Sequence, residues 1–304
     1  MPSPEMEATA RQFAGPFPLD PAGGRTAYDA LGSVLPPDPE TRWEATEVGG
    51  IGGPHSEWQW WDGVGEERVV LYMHGGGYVI GSPPSWRQFG GRLSREANVR
   101  LLNFDYRLAP EHPFPAAVED AIAAYRWLLS QGWDPERIAL GGDSAGGALG
   151  ITLMVALRDA GDPLPACHLS LCPWADLTNG AESLDDPSVE DPNPELRPLA
   201  EAMAENYLQG QDPEHPHASP LFADLAGLSP VQIEVSGRDG IRSDALRLGE
   251  ALREAGVEVS LNDAEGTIHG YHMFAPETPE ASEGIARLSA FLETHLAAPT
   301  PSTP

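Results

Sequence analysis

One passage constrains this chain more than any other: RIALGGDSAGGALGITLMVALRDAG, residues 137–161. An apolar run with the look of a buried strand breaks into a glycine-rich turn, then resumes as a helix of small and apolar residues ending at Gly161. The turn contains G-x-S-x-G as Gly142, Ser144 and Gly146. A serine there sits on a strained strand-to-helix elbow, and glycine two residues to either side removes Cβ atoms that would collide with the strand and helix. The helix that follows aims its first amides at the serine, favouring negative charge developing beside it. An incidental serine in a tight turn is the plainer reading, but it leaves the strand, elbow and small-residue helix as a coincidence. A phosphate loop is excluded, because G-x-x-x-x-G-K-[ST] needs a lysine and the chain has none.

The elbow sits within a longer rhythm. From about residue 67 to 295, short β-rich runs alternate with helical patterns, which predicts a mostly parallel sheet wrapped by helices. VVLYM, VRLLNFDY, RIALGG, ACHLSLCPW, VQIEVSG and VEVSLND read as strands. SWRQFGGRLSREAN, AAVEDAIAAYRWLLSQG, DALRLGEALREAG and EGIARLSAFLETH carry helical periodicity. Two segments depart from the pattern. Residues 1–45 hold weak helices interrupted by Pro and Gly, and residues 176–218 are acidic and Pro-punctuated, with one helix expected over 196–208. An excursion of that length between strands is usually functional, and both segments are expected to cover the carboxyl edge of the sheet. The expected division is therefore 1–45 as the first part of a cap, 46–175 and 219–297 as the core, 176–218 as the cap insertion, and 298–304 as a disordered tail.

HGGG, His74 to Gly77, follows the strand VVLYM. Consecutive glycines let backbone amides approach a ligand closely. Ahead of a serine elbow they read as an oxyanion hole, in which one lost donor costs on the order of 3 kcal/mol of barrier. His74 suits packing beneath the glycines better than proton transfer.

HGGGY, DYRLAPEHPFPAA (105–117) and GDSAGG, with PWADLT (173–178) and the closing DGIRSD and IHG stretches, together resemble the bacterial hormone-sensitive-lipase-like, or family IV, esterases. The resemblance runs from about residue 55 to 295 in order. It implies an α/β-hydrolase core, a helical cap, and cofactor-independent hydrolysis of short to medium acyl esters. It also implies that the amides of Gly76, Gly77 and Ala145 form the oxyanion hole. In similar proteins, positions matching Ala109–Pro110 and Phe114–Pro115 often carry cis bonds, and a homodimer is common.

A serine hydroxyl needs an imidazole to take its proton and a carboxylate to orient that imidazole. In this fold the chain order is Ser, Asp or Glu, then His. His269, in GTIHGYHMF, is the expected base, with His272 three residues on as its rival. Asp239, ending VQIEVSGRD, is the expected acid. Similar esterases usually read Asp-Pro-Leu at this point; here Asp239 is followed by Gly240 and Ile241, which keeps Asp244 as an alternative. Asp143 adjoins the nucleophile and cannot reach the far side of the imidazole, so its expected role is to steady the elbow. His215 and His217 read as surface residues of the insertion.

The remaining constraints are broader. A formal charge of −28, with all 18 cationic side chains arginine, repels phosphate backbones and speaks against nucleic-acid partners. It suits a well-hydrated surface, with adaptation to salt as the sharper alternative. Cys167 and Cys172 are five apart in an apolar strand, so they face opposite sides and read as core residues rather than a disulfide. No histidine–cysteine spacing suggests a metal site, and no cofactor is expected. The absence of a long apolar run or a secretion-like start argues against membrane insertion and makes the cytoplasm the expected compartment. An amidase, deformylase or lactonase could use the same triad. A non-catalytic ligand receptor is the reading of another class; the plant gibberellin receptors resemble this family but lack the histidine that His269 supplies here.

Overall fold

The computed structural model describes residues 1–32, 36–53 and 55–298, so the expected tail falls outside the described residues except at 298. Two helices, α1 (Pro4–Gln12) and α2 (Pro21–Gly32), precede the strands β1 (Thr41–Ala45), β2 (Glu57–Trp61) and β3 (Val69–Met73). Then follow α3 (Arg87–Ala97), β4 (Arg100–Phe104), α4 (Ala116–Ser130), β5 (Ile138–Asp143), α5 (Ala145–Ala160) and β6 (Cys167–Leu171). After a long excursion containing α6 (Leu196–Leu208) come β7 (Val231–Arg238), α7 (Arg242–Glu254), β8 (Val259–Ile268) and α8 (Pro279–His295).

The strands form one sheet in the order β1-β2-β4-β3-β5-β6-β7-β8. Pairing is antiparallel at β1–β2 and β2–β4 and parallel from β4 to β8. This is the α/β-hydrolase architecture that the sequence resemblance implied. β3 shows why its residues make a central strand. Val69, Leu71 and Met73 face one core with α4, α5 and α7, while Val70 and Tyr72 face a second core with α3 and α8. Both cores are continuous, and Leu71 is wholly buried. Its truncation to alanine is worth about 2–5 kcal/mol.

The sheet begins earlier than expected, which corrects the 1–45 boundary: β1 lies inside the segment assigned to the cap. β1 and β2 escaped the reading because they form the half-solvated edge. Four of the five β1 residues are exposed, and β2 (EWQWW) lacks a clean apolar alternation. Their outer tryptophans Trp43, Trp60 and Trp61 carry the guanidinium groups of Arg87, Arg100 and Arg95. α1 also differs from the expectation of a cap element, since Met6 and Ala10 pack into the core beside α8.

The 176–218 excursion follows β6 and contacts the carboxyl ends of the strands. Ser183 donates to the Gly240 carbonyl at 2.6 Å, Phe114 N–H donates to Tyr207 at 2.8 Å, and Tyr207 stacks on Tyr78 at 4.0 Å. The N-terminal segment reaches the same region, with Gly15 N–H donating to Pro192 at 3.1 Å. Behind it, DYRLAPEHPFPAA wraps around the site: Ala109 N–H bonds to Tyr78, and the Arg107 guanidinium pairs with the buried Asp120 at 2.7 Å. Ala109–Pro110 and Phe114–Pro115 are both cis, as is Ala275–Pro276, which the sequence did not flag.

Candidate active site

β5 ends at Asp143 and α5 begins at Ala145, leaving Ser144 alone on the elbow with φ 53° and ψ −120°. A non-glycine residue seldom adopts such a backbone; here the fold holds it from both sides. Ser144 N–H donates to the Leu171 carbonyl at 2.8 Å, and Trp174 N–H donates to the Ser144 carbonyl at 3.1 Å. The flanking glycines are required sterically. A Cβ on Gly146 would run into the Met73 carbonyl, and one on Gly142 would meet the Gly146 backbone.

Asp143 is buried beneath this turn. One of its oxygens accepts from Gly75 N–H at 2.8 Å and from the Tyr72 hydroxyl at 3.1 Å. Burial pushes the carboxyl up to about 7, against the opposing influence of His269, Gly75 and Tyr72. Asp143 therefore ties the elbow to the HGGG loop. In that loop Gly76 has φ 111°, and a Cβ there would strike the Ile80 carbonyl. The N–H groups of Gly76 and Gly77 donate to no acceptor among the described residues. His74 lies under the loop, its Nδ1 2.7 Å from the Gly75 carbonyl and its ring stacked on Tyr106 at 4.4 Å. Burial lowers its pKa, so it stays neutral packing. Ala145, the first residue of α5, is buried at the helix N-terminus.

The acid and base arrive on neighbouring strands. β7 and β8 run parallel, so Asp239 just past one and His269 just past the other emerge side by side. His269 Nδ1 lies 2.7 Å from Asp239 Oδ2, and Asp239 Oδ1 accepts from Ile241 N–H at 3.0 Å. Asp239 is almost wholly buried, whereas the His269 side chain retains 39% of its surface. That surface faces a cleft that is partly open to solvent. Burial there opposes the imidazolium, but Asp239, by charge and hydrogen bond, with Asp143 and Asp191 behind it, raises the pKa to about 9.

The rival residues are engaged elsewhere. His272 is fully buried between Phe89 and Tyr271, with Nε2 3.6 Å from Glu234, and burial lowers its pKa. Asp244 sits in the first turn of α7, accepting from Asp176 N–H at 3.2 Å and lying 3.6 Å from Arg247. His215 and His217 pair at 5.6 Å on the insertion, His215 exposed.

Cys167 and Cys172 are free and buried. Cys172 is more than core packing, since ligand-type atoms of Cys172, Asp239 and His269 all lie within 4.8 Å of one another. This is a poor metal site. Burial pushes the thiol up, so it stays protonated, and the Asp239 and His269 atoms are committed to each other.

Ser144, Asp239 and His269 line one cavity of about 230 Å³ together with Gly76 and Gly77. Its remaining wall is largely apolar: Phe17 and Tyr28 from the N-terminal segment, Leu196, Leu199 and Met203 from α6, and Met273. Trp86 and Trp174 also line it, whereas Trp58 stacks on Trp133 and Phe274 packs on Phe13. Sequence reading missed the wall residues from α6 and the N-terminus, and Asp191. The spacing of Leu196, Leu199 and Met203 reports an apolar helix face, and only the tertiary path of the insertion turns that face toward Ser144.

Comparison with known proteins shows the fold and the relatives of this chain. Residues 70–273 match a family described as alpha/beta hydrolase fold. An acetyl-hydrolase of Streptomyces hygroscopicus is 44% identical over 227 residues, covering 75% of this chain and 76% of the relative. Carboxylesterase NlhH of Mycobacterium tuberculosis is 35% identical over 241 residues, covering 75% and 74%. A crystal structure of an esterase from the bacterial hormone-sensitive lipase family superposes with a TM-score of 0.91 at 41% identity, covering 98% of this chain and all of that one. EstE5, in a crystal soaked with p-nitrophenyl butyrate, superposes at 0.88 with 38% identity, covering 97% and 100%.

Proposed function

Because the chain belongs to the α/β-hydrolase family, among its hormone-sensitive-lipase-like esterases, we propose that its carboxylesterase activity runs through Ser144, His269 and Asp239 by way of an acyl-enzyme. The observation that carries this reading is the 2.7 Å contact between His269 Nδ1 and Asp239, in the cavity that Ser144 also lines.

The chemistry follows from the placement. Ser144 Oγ attacks the ester carbonyl carbon as Nε2 of His269 takes the hydroxyl proton. Asp239 accepts from Nδ1–H, which fixes the tautomer and favours the imidazolium. The carbonyl oxygen, now an alkoxide, takes hydrogen bonds from the amides of Gly76, Gly77 and Ala145. Collapse breaks the C–O bond, and His269 returns its proton to the departing alcohol. Water then repeats the sequence on the acyl-serine, releasing the acid and restoring Ser144.

The small apolar cavity favours short to medium acyl groups, and the insertion with the N-terminal helix α2 forms the cap that sets acyl preference. A lactonase or amidase preference would use the same three residues. No helix among the described residues is long and apolar enough to cross a membrane. A cytoplasmic location and a homodimer complete the proposal, open to cell fractionation and light scattering. Hydrolysis of p-nitrophenyl acetate and butyrate in the presence of a chelator is the direct test. Ser144→Ala is expected to lose at least about 1,000-fold in kcat; near-wild-type turnover would remove Ser144 from the mechanism.

A further inference from the structure

The insertion brings one carboxylate into the cavity that the ester chemistry above does not use. Asp191 lies between the short turn at Pro187–Val189 and α6, and it lines the cavity beside Asp239 and His269. Its Oδ2 accepts from Gly240 N–H at 2.8 Å, and its Oδ1 accepts from Asn193 N–H at 2.8 Å. Gly240 directly follows the triad acid, so the first of these bonds grips the loop that carries Asp239. The backbone around Asp191 is itself anchored. Arg238 Nε donates to the Glu190 carbonyl at 3.2 Å, and Gly15 N–H donates to the Pro192 carbonyl at 3.1 Å. Both oxygens receive backbone N–H groups, which favours the ionised carboxylate against the burial and the Asp239 charge that together raise its pKa.

We propose that Asp191 is a positioning residue for the esterase reaction: a carboxylate supplied by the insertion that holds the Asp239–Gly240 loop and adds negative charge beside the imidazolium of His269. The inference rests on the triad reading above. It makes seating of the insertion part of assembling the base, not only part of shaping the acyl pocket.

The groups acting on His269 come from four places: Asp239 after β7, Asp143 on the elbow, Asp191 on the insertion, and the Cys172 thiol after β6. Asp191 in turn faces Asp239, which raises its pKa after burial does, and His269, which lowers it. Arg238, whose guanidinium reaches this turn, is committed to the Glu190 carbonyl and to Glu7 at 3.3 Å. Removing the Asp191 charge therefore has two effects of opposite consequence. The imidazolium becomes less favoured, so the neutral base persists to lower pH. The same base is weaker, and the imidazolium formed during serine attack is less stabilised, so the maximal rate falls.

The test is the pH dependence of kcat and kcat/KM for p-nitrophenyl butyrate in Asp191→Asn, which keeps an oxygen for Gly240 N–H and drops the charge. The acid limb is expected to move to lower pH by about half a unit or more, with a several-fold lower plateau kcat, so that the two profiles cross. Asp191→Ser, also neutral, must shift the limb in the same direction. Asp191→Glu must return it toward wild type. An acid limb that stays in place in both neutral variants overturns the proposal, even if stability or plateau rate falls, because a merely structural contact would do that much. The triad reading fails separately. Retained turnover in Ser144→Ala removes it, whereas inert triad variants with an unmoved Asp191→Asn limb sink only the role given to Asp191.

Discussion

Gly76 has a backbone that a side chain would both strain and obstruct, with φ 111° and the Ile80 carbonyl in the path of a Cβ. Gly76→Ala is therefore expected to displace the loop amides and lower kcat about 100-fold or more, with a small change in KM for p-nitrophenyl butyrate. A large KM rise at unchanged kcat would assign the loop to binding instead. His269 gives a second expectation at this scale. Its neutral form is the base, and its carboxylate neighbours raise its pKa to about 9, so kcat/KM should climb through the alkaline range and level off only near that value. A profile already flat at pH 7 would contradict it. At this scale the sequence was most legible where backbone geometry restricts residue choice, as at Ser144 and its glycines. Asp239 and Asp244 both follow the same strand, and the local pattern ranks them, one in the loop and one expected in the first turn of the next helix, without settling the choice. What separates them is that β8 delivers His269 next to the first, while the second turns toward Asp176 and Arg247.

α7 carries Asp244 in its first turn, where burial, then the charge of Asp176, pushes the carboxyl up to about 8 despite Arg247. An acid whose folded pKa exceeds its unfolded one stabilises the fold while protonated. That contribution is present at low pH and lost as pH rises from about 4 through about 8. Thermal stability should therefore fall between pH 5 and pH 9, and less steeply in Asp244→Asn, which cannot ionise. Equal slopes by calorimetry would count against a buried protonated Asp244. Elements with both faces or one full stripe buried were readable: β3, β5, α5 and α6 fall where their patterns put them. β1 and β2 were not, because an edge strand with one solvated face and arginine-covered tryptophans lacks the apolar run that marks a core strand.

Across the whole molecule, the α/β rhythm was enough to give the fold class, since parallel strands buried on both faces require covering helices. That the insertion covers the sheet edge was expected from its length and place in the chain, but how it is seated was not legible, because that depends on contacts such as Tyr207 on Tyr78 that join distant parts of the chain. Charge is also a property of this scale. Among the described residues, every arginine except Arg253 has a carboxylate within 4.0 Å, yet the formal charge is still −28. Moderate salt should therefore raise the melting temperature by screening the excess acids, while kcat/KM for a neutral ester changes less than about two-fold. A chain that loses its activity in dilute buffer would instead be adapted to salt.

Turnover depends on one hydroxyl made nucleophilic by one imidazole, and covalent capture reads that directly. A fluorophosphonate probe followed by peptide mass spectrometry should place a single adduct on Ser144, with labelling slowed at least about 100-fold in His269→Ala. An adduct on any other residue, or equal labelling rates with and without His269, would contradict it.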